Sequence, residues 1–141
     1  KDESLDFVCG TVKKDGRLYG GFNPEKIIRK FDIIPSSVVG FFIKRSSLKK
    51  VGYLNLKYKI QADYDLLYRM IVKHNLKGTH SSGKEVFGDL GNSGFSKNHS
   101  FWKVLSNEII IRNDNGQNKF VLLYIIIGRS LRKLFNSLFG L

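Results

Sequence analysis

Residues 6–13 alternate apolar and polar positions closely enough to form a strand, and the Asp15-Gly16 pair after them is a hairpin signal leading into a second strand over 17–20. Asn23-Pro24-Glu25 reads as a helix start, with Asn as cap, Pro at the first helical position and Glu beside the positive end of the dipole. It predicts a short helix over 24–31. The apolar run 38–44 reads as a buried strand, and Ser46 or Ser47 is placed to cap a helix of one to two turns that stops at Gly52. The period then changes. Leu66 with Met70 and Leu67 with Ile71 pair at i,i+4 spacing and predict a helix over 63–74. Residues 84–90 return to a strand pattern and run into a glycine and serine loop. Ser96 is expected to cap a helix through about 111, Asp114-Asn115-Gly116 to form a turn, and a last helix to run from about 118 to 138. The sequence has no internal repeat or low-complexity segment.

The densest candidate chemistry lies in Ile60-Gln61-Ala62-Asp63-Tyr64-Asp65-Leu66-Leu67-Tyr68-Arg69-Met70-Ile71. Two carboxylates stand two residues apart where the central helix begins, with an arginine one turn on. Unpaired N–H groups and the dipole favour a carboxylate at a helix N-terminus and fix its geometry, as acid–base chemistry requires. The competing reading of Asp63 is an ordinary N-cap, worth about 0.5–2 kcal/mol. Asp65 and Arg69 form an i,i+4 ion pair, worth only about 0.3–0.5 kcal/mol if exposed. For Asp65 that structural reading stands beside a part in acceptor binding, and Arg69 reads as scaffold before phosphate ligand. Gly91, Ser93, Gly94 and Ser96, in the loop 88–96, offer backbone N–H groups with little side-chain bulk, suited to a sugar or diphosphate and equally to simple turns. His74, His80 and His99 are spaced too irregularly for a metal site evident from sequence, and His99, just after the loop, is the one worth testing. Cys9 lies among apolar strand residues and reads as packed rather than reactive.

The central stretch resembles the helix that carries the catalytic base in family 2 glycosyltransferases, which have the GT-A fold. Upstream, the run Pro35 to Tyr53 looks like that family's strand, short helix and glycine turn. Downstream, Gly91-Asn92-Ser93-Gly94-Phe95-Ser96 is similar to its small-residue loop, and Asp6-Phe7-Val8-Cys9-Gly10-Thr11-Val12 resembles a strand shortly after its metal-binding carboxylate motif. The ordered set covers most of the chain. It implies an α/β fold: the C-terminal, acceptor-side portion of a GT-A (Rossmann-like) domain over 1–116, a mixed sheet with flanking helices, followed by an amphipathic, membrane-associated helix over 117–141. It also implies an inverting glycosyltransferase that uses a nucleotide-sugar donor and a glycan or lipid-linked acceptor in bacterial polysaccharide biosynthesis. Asp63 aligns with the base, Asp65 and Arg69 flank the substrate, and Ala62 stands where the family has Glu, which leaves Asp65 as a second candidate for the base. The nucleotide-binding half and its DxD motif, which would hold manganese or magnesium, have no counterpart in this sequence. The isolated chain is therefore expected to be an incomplete and inactive part of the enzyme.

Charge changes this picture in one respect. Lys and Arg total 24 against 12 acidic residues, a net charge of +12. A basic balance fits nucleic acid, an anionic membrane or a phosphorylated substrate. The clusters Lys44–Lys50 and Arg129–Lys133 lack the aromatic interleaving of a single-strand binding platform, so nucleic acid is not expected as a partner. The apolar run Phe120 to Ile127 is eight residues long, far short of the ~20 of a spanning helix. The cations beyond it suit a helix lying in a membrane interface, and also a C-terminal helix packed on the sheet with its basic face in water. The resemblance tips the expectation to the inner face of the plasma membrane of a cytoplasmic protein. A single cysteine excludes an internal disulfide. A basic binding module and an inactive remnant are the alternatives to an enzyme part.

Overall fold

The computed structural model describes residues 4–20, 40–81, 84–90 and 98–140. Among them the chain is α/β, with two small mixed sheets and four α-helices. The expected helix over 24–31 and the loop positions Gly91, Ser93, Gly94 and Ser96 lie outside the described residues.

The first expected strand is present but broken into β1 (Phe7–Cys9) and β2 (Thr11–Lys14) at Gly10. Close packing explains the break. Gly10 donates its N–H to the Gly40 carbonyl at 2.6 Å, and a Cβ at Gly10 would meet the Phe87 ring at 2.4 Å. The two halves then serve different sheets. β1 lies between β4 (Phe41–Ile43), antiparallel with Phe7 opposite Ile43, and β5 (Gly78–His80), parallel with Phe7 opposite Gly78. β2 lies between β3 (Arg17–Tyr19), antiparallel, and β6 (Val86–Leu90), parallel. The β2–β3 hairpin turns through Asp15 and Gly16 with positive φ at both (50° and 76°), the geometry that an Asp-Gly pair favours.

Two expectations for the next segment are corrected. β4 is not a buried strand: among the described residues it lies at a sheet edge, and Phe42 is exposed. α1 (Arg45–Val51) starts without a side-chain cap at Lys44, and neither Ser46 nor Ser47 caps it. Ser47 is buried instead and donates its hydroxyl to Asp6 Oδ1 at 2.6 Å. The stop at Gly52 is as expected, with φ 88° and its N–H on the Leu48 carbonyl.

α2 (Ala62–Tyr68) continues into a π-helical turn over Arg69–Lys73, marked by the His74 N–H bonding the Arg69 carbonyl. Together they occupy the expected helix, and Leu67, Met70 and Ile71 are buried as the spacing predicts. They join Phe7, Cys9, Val51, Tyr64, Tyr68, Leu76 and Ile111 in the core between the β4-β1-β5 sheet and the helices. Burial pushes the Cys9 thiol up to about 12, so this cysteine is a packing residue. α3 (Phe101–Asp114) begins at Ser100, whose Oγ accepts the Lys103 N–H, and not at Ser96. The chain turns at Asn115 and Gly116 (φ 82°) into α4 (Lys119–Phe139), capped by Asn118 through the Phe120 N–H at 2.8 Å. α4 rests on α3 and buries only Leu122 and Ile125.

Candidate active site

α2 opens at Gln61, which is in the left-handed region (φ 65°) and makes no side-chain cap bond. A non-glycine residue in that conformation costs roughly 1–2 kcal/mol, so the packing of the flanking residues fixes this start. Asp63 is therefore not the N-cap but lies in the first turn of the helix. Its side chain is exposed, and among the described residues it makes one hydrogen bond, accepting the Tyr64 N–H on Oδ1 at 2.9 Å.

Asp65 is 1% exposed. Its Oδ2 accepts from Arg69 Nε and Nη2, both at 2.9 Å, and its Oδ1 accepts from Asn115 Nδ2 at 2.9 Å. The i,i+4 pair expected from the sequence is present, but it is buried rather than solvated. Arg69 extends its other donors to the end of α1: Nη1 to the Val51 carbonyl at 2.6 Å and Nη2 to the Tyr53 carbonyl at 2.7 Å. A guanidinium there satisfies carbonyls that α1 leaves without intrahelical partners and complements the negative end of its dipole. Asp65 and Arg69 thus tie the ends of α1 and α3 to α2.

Beside this pair an open polar cleft of about 340 Å³ is lined by Asn55, Lys57, Tyr58, Asp65, Arg69, Asp114 and Asn115. Asp114 accepts from Lys57 Nζ at 2.6 Å and from the Tyr58 hydroxyl at 2.8 Å, and these two bonds hold its carboxyl below the usual range. Burial, together with the hydrogen bond to Asp114, pushes the Tyr58 phenol up to about 12. Asp63 does not line the cleft.

A second polar cluster, not anticipated from the sequence, lies beneath. Arg112 is fully buried against the rings of Tyr64 and Tyr68, 5.6 and 5.7 Å from their centroids. Its Nε donates to the Tyr64 hydroxyl at 2.7 Å and to Glu108 Oε1 at 3.0 Å, while Tyr64 donates to the same Glu108 oxygen at 2.8 Å. Arg129 of α4 closes onto Glu108 Oε2, and the Tyr68 hydroxyl reaches Gln117 Oε1 at 2.6 Å. Desolvation is the main cause that drives the Tyr64 and Tyr68 phenols up, so both are neutral donors. The one local signal is spacing: Glu108 and Arg112 sit four apart, and the structure buries both in the stripe Leu105, Glu108, Ile111, Arg112 of α3.

Asp6 is a further junction that sequence reasoning passed over. Its carboxylate accepts from Ser47 Oγ at 2.6 Å and from the Lys77 N–H at 2.8 Å, joining β1 to α1 and to the start of β5. Those bonds, with Ser47 first, hold it below the ordinary carboxylate value. His74, His80 and His99 do not come together, and among the described residues no group of three or more His, Cys, Asp or Glu is placed to hold a metal ion. Comparison of the chain with protein-family models, with curated proteins and with solved structures finds no match.

Proposed function

We propose that this chain forms the acceptor-side part of an inverting glycosyltransferase, with Asp63 as the general base. The observation that carries the proposal is the contrast between the two carboxylates of α2. A base needs lone pairs open to an incoming hydroxyl and a fixed position. Asp63 is exposed and set in the first turn of α2, whereas Asp65 is buried with both oxygens engaged by Arg69 and Asn115. Asp65 and Arg69 therefore act as positioning residues, and the base is Asp63. The order of strand, short helix, glycine stop and carboxylate-bearing helix supports the same reading.

In the proposed reaction an acceptor hydroxyl attacks the anomeric carbon of a nucleotide sugar and gives its proton to Asp63. The bond from that carbon to the diphosphate breaks, the nucleoside diphosphate leaves with the bonding pair, and the configuration inverts. The acceptor is a glycan or a lipid-linked sugar, reached from the cytoplasmic side of the membrane. The loop 88–96 is assigned to close approach of the substrate. A manganese or magnesium ion neutralising the diphosphate belongs, in this reading, to the nucleotide-binding half.

The test is turnover of a panel of sugar nucleotides by the chain joined to its upstream coding segment, comparing the parent with Asp63→Asn. Loss of turnover with donor binding retained is the expected result. Unchanged turnover in the variant, or a parent that binds no donor, overturns the proposal.

A further inference from the structure

α4 carries an apolar surface that the rest of the described chain leaves uncovered. Phe120, Tyr124, Ile127, Leu131, Leu134 and Leu138 follow one another at intervals of four and three residues, which puts them on one side of the helix along its whole length. All six are exposed, from 49% at Ile127 to 82% at Phe120. The contacts with the body of the protein come from a different face, through Leu122, Ile125 and Arg129. Helical spacing puts that packing face on the far side from the stripe. The helix is therefore held with its apolar side turned away from the rest of the described chain.

Charge decides what covers it. Residues 119–141 contain no carboxylate, while Lys119, Arg129, Arg132 and Lys133 are cationic. Glu108 answers Arg129, but Arg132 and Lys133 are exposed, one on each side of the helix beyond the apolar residues Phe135 and Leu123 that border the stripe. A second copy of the helix laid on the stripe would meet no complementary charges at its borders, which are the exposed apolar residues Leu123 and Phe135 instead of the charged pairs that set a coiled-coil seam. A broad apolar face on a helix whose other side carries cations and no Asp or Glu matches an anionic lipid surface, where the long cationic side chains reach phosphate headgroups. No helix among the described residues is long and apolar enough to cross a membrane, which leaves the surface as the place where lipid would meet α4.

We infer that α4 docks the protein on an anionic membrane by its Phe120–Leu138 stripe, with the sheets and α1–α3 held on the aqueous side. This inference stands independently of the glycosyltransferase reading. The test is co-sedimentation of the whole chain with vesicles of mixed phosphatidylcholine and phosphatidylglycerol, and with phosphatidylcholine alone. The chain should sediment with the anionic vesicles and much less with the neutral ones. Ile127→Ser combined with Leu131→Ser should lower the partition constant at least about tenfold, since both side chains insert. Arg132→Gln combined with Lys133→Gln should remove the preference for anionic vesicles. The altered residues are exposed, so thermal unfolding of both variants should match the parent. Equal sedimentation with neutral and anionic vesicles overturns the inference. So does a stable dimer that stays in the supernatant, or a serine variant that partitions like the parent.

Discussion

Asp65→Asn measures how far the second carboxylate of α2 is committed to structure. The exchange keeps the shape and removes the charge. Either orientation of the new amide turns an N–H₂ group toward a donor, Arg69 on one side or Asn115 on the other. Hydrogen bonds to a charged group contribute about 1.5–3 kcal/mol, and breaking one partner of a buried ion pair costs about 3–5 kcal/mol. Arg69 keeps its contacts with the Val51 and Tyr53 carbonyls and is slightly exposed, which places the expected loss near the low end, about 3 kcal/mol. In urea, with a slope of about 2 kcal/mol per molar, the midpoint should fall by about 1.5 M with the slope unchanged. Asp63→Asn removes a charge from an exposed first-turn position and leaves an oxygen to accept the Tyr64 N–H, so its cost should stay below about 1 kcal/mol. A midpoint shift below about 0.5 M for Asp65→Asn, or a larger shift for Asp63→Asn, would refute the division between a structural and an available carboxylate.

Two glycines should respond in opposite directions to alanine, read by thermal unfolding. Gly128 is in the interior of α4 with nothing near a new Cβ, so Gly128→Ala should stabilise the chain by about 0.5–1 kcal/mol, whereas a Cβ at Gly78 would stand 2.0 Å from the Phe7 ring and Gly78→Ala should cost about 2 kcal/mol or more. Asp6 sets an acid limb of stability: its folded-state pKa is lowered, so its contribution is complete above the ordinary carboxylate value and is lost as pH falls through the lowered value. Urea midpoints recorded between neutral and acid pH should therefore decline below about pH 4, and Ser47→Ala should lower the neutral plateau and flatten that decline. Coincident acid limbs for the parent and Ser47→Ala would refute the assignment.

The sequence was most legible where one residue controls the backbone by itself. Asp15-Gly16, Gly52, Gly116 and Asn118 mark turns and helix ends at the expected places, because positive φ and capping are local properties. It was least legible where the deciding partner is distant. Ser47 looks like a cap in sequence, yet its hydroxyl goes to Asp6, 41 residues away. β5 is three residues long, has a glycine against Phe7, and shows no alternation to announce it. β4 reads as buried because its residues are apolar, but Phe41 and Ile43 take the core face and alternation leaves Phe42 exposed on the other face. The buried charges of α3 interrupt an otherwise apolar stripe, and a pattern search discards such residues as noise. What makes them tolerable in the core is a tyrosine from α2 and an arginine from α4, neither of which local spacing reveals.

The different fates of Asp63 and Asp65 follow from helix geometry. Residues two apart point to nearly opposite sides of a helix, so a helix packed on one side cannot treat both alike. Tyr64 and Tyr68 face Arg112 and Glu108, Asp65 faces Arg69 and the end of α3, and Asp63 turns outward. The buried contacts around it make that outward position precise in space. Arg69 anchors α2 to α1, and Glu108 gathers Tyr64, Arg112 and Arg129 from three helices. An exposed carboxylate on so constrained a helix has the fixed position a general base needs, and its solvent exposure leaves room for the hydroxyl it would deprotonate. On the proposed reading, loosening the support should therefore harm turnover without touching Asp63. In the chain joined to its upstream segment, Arg69→Lys, which keeps the charge but not the forked geometry, should then lower kcat more than it raises KM. An equal effect on donor affinity would show instead that Arg69 itself touches the substrate.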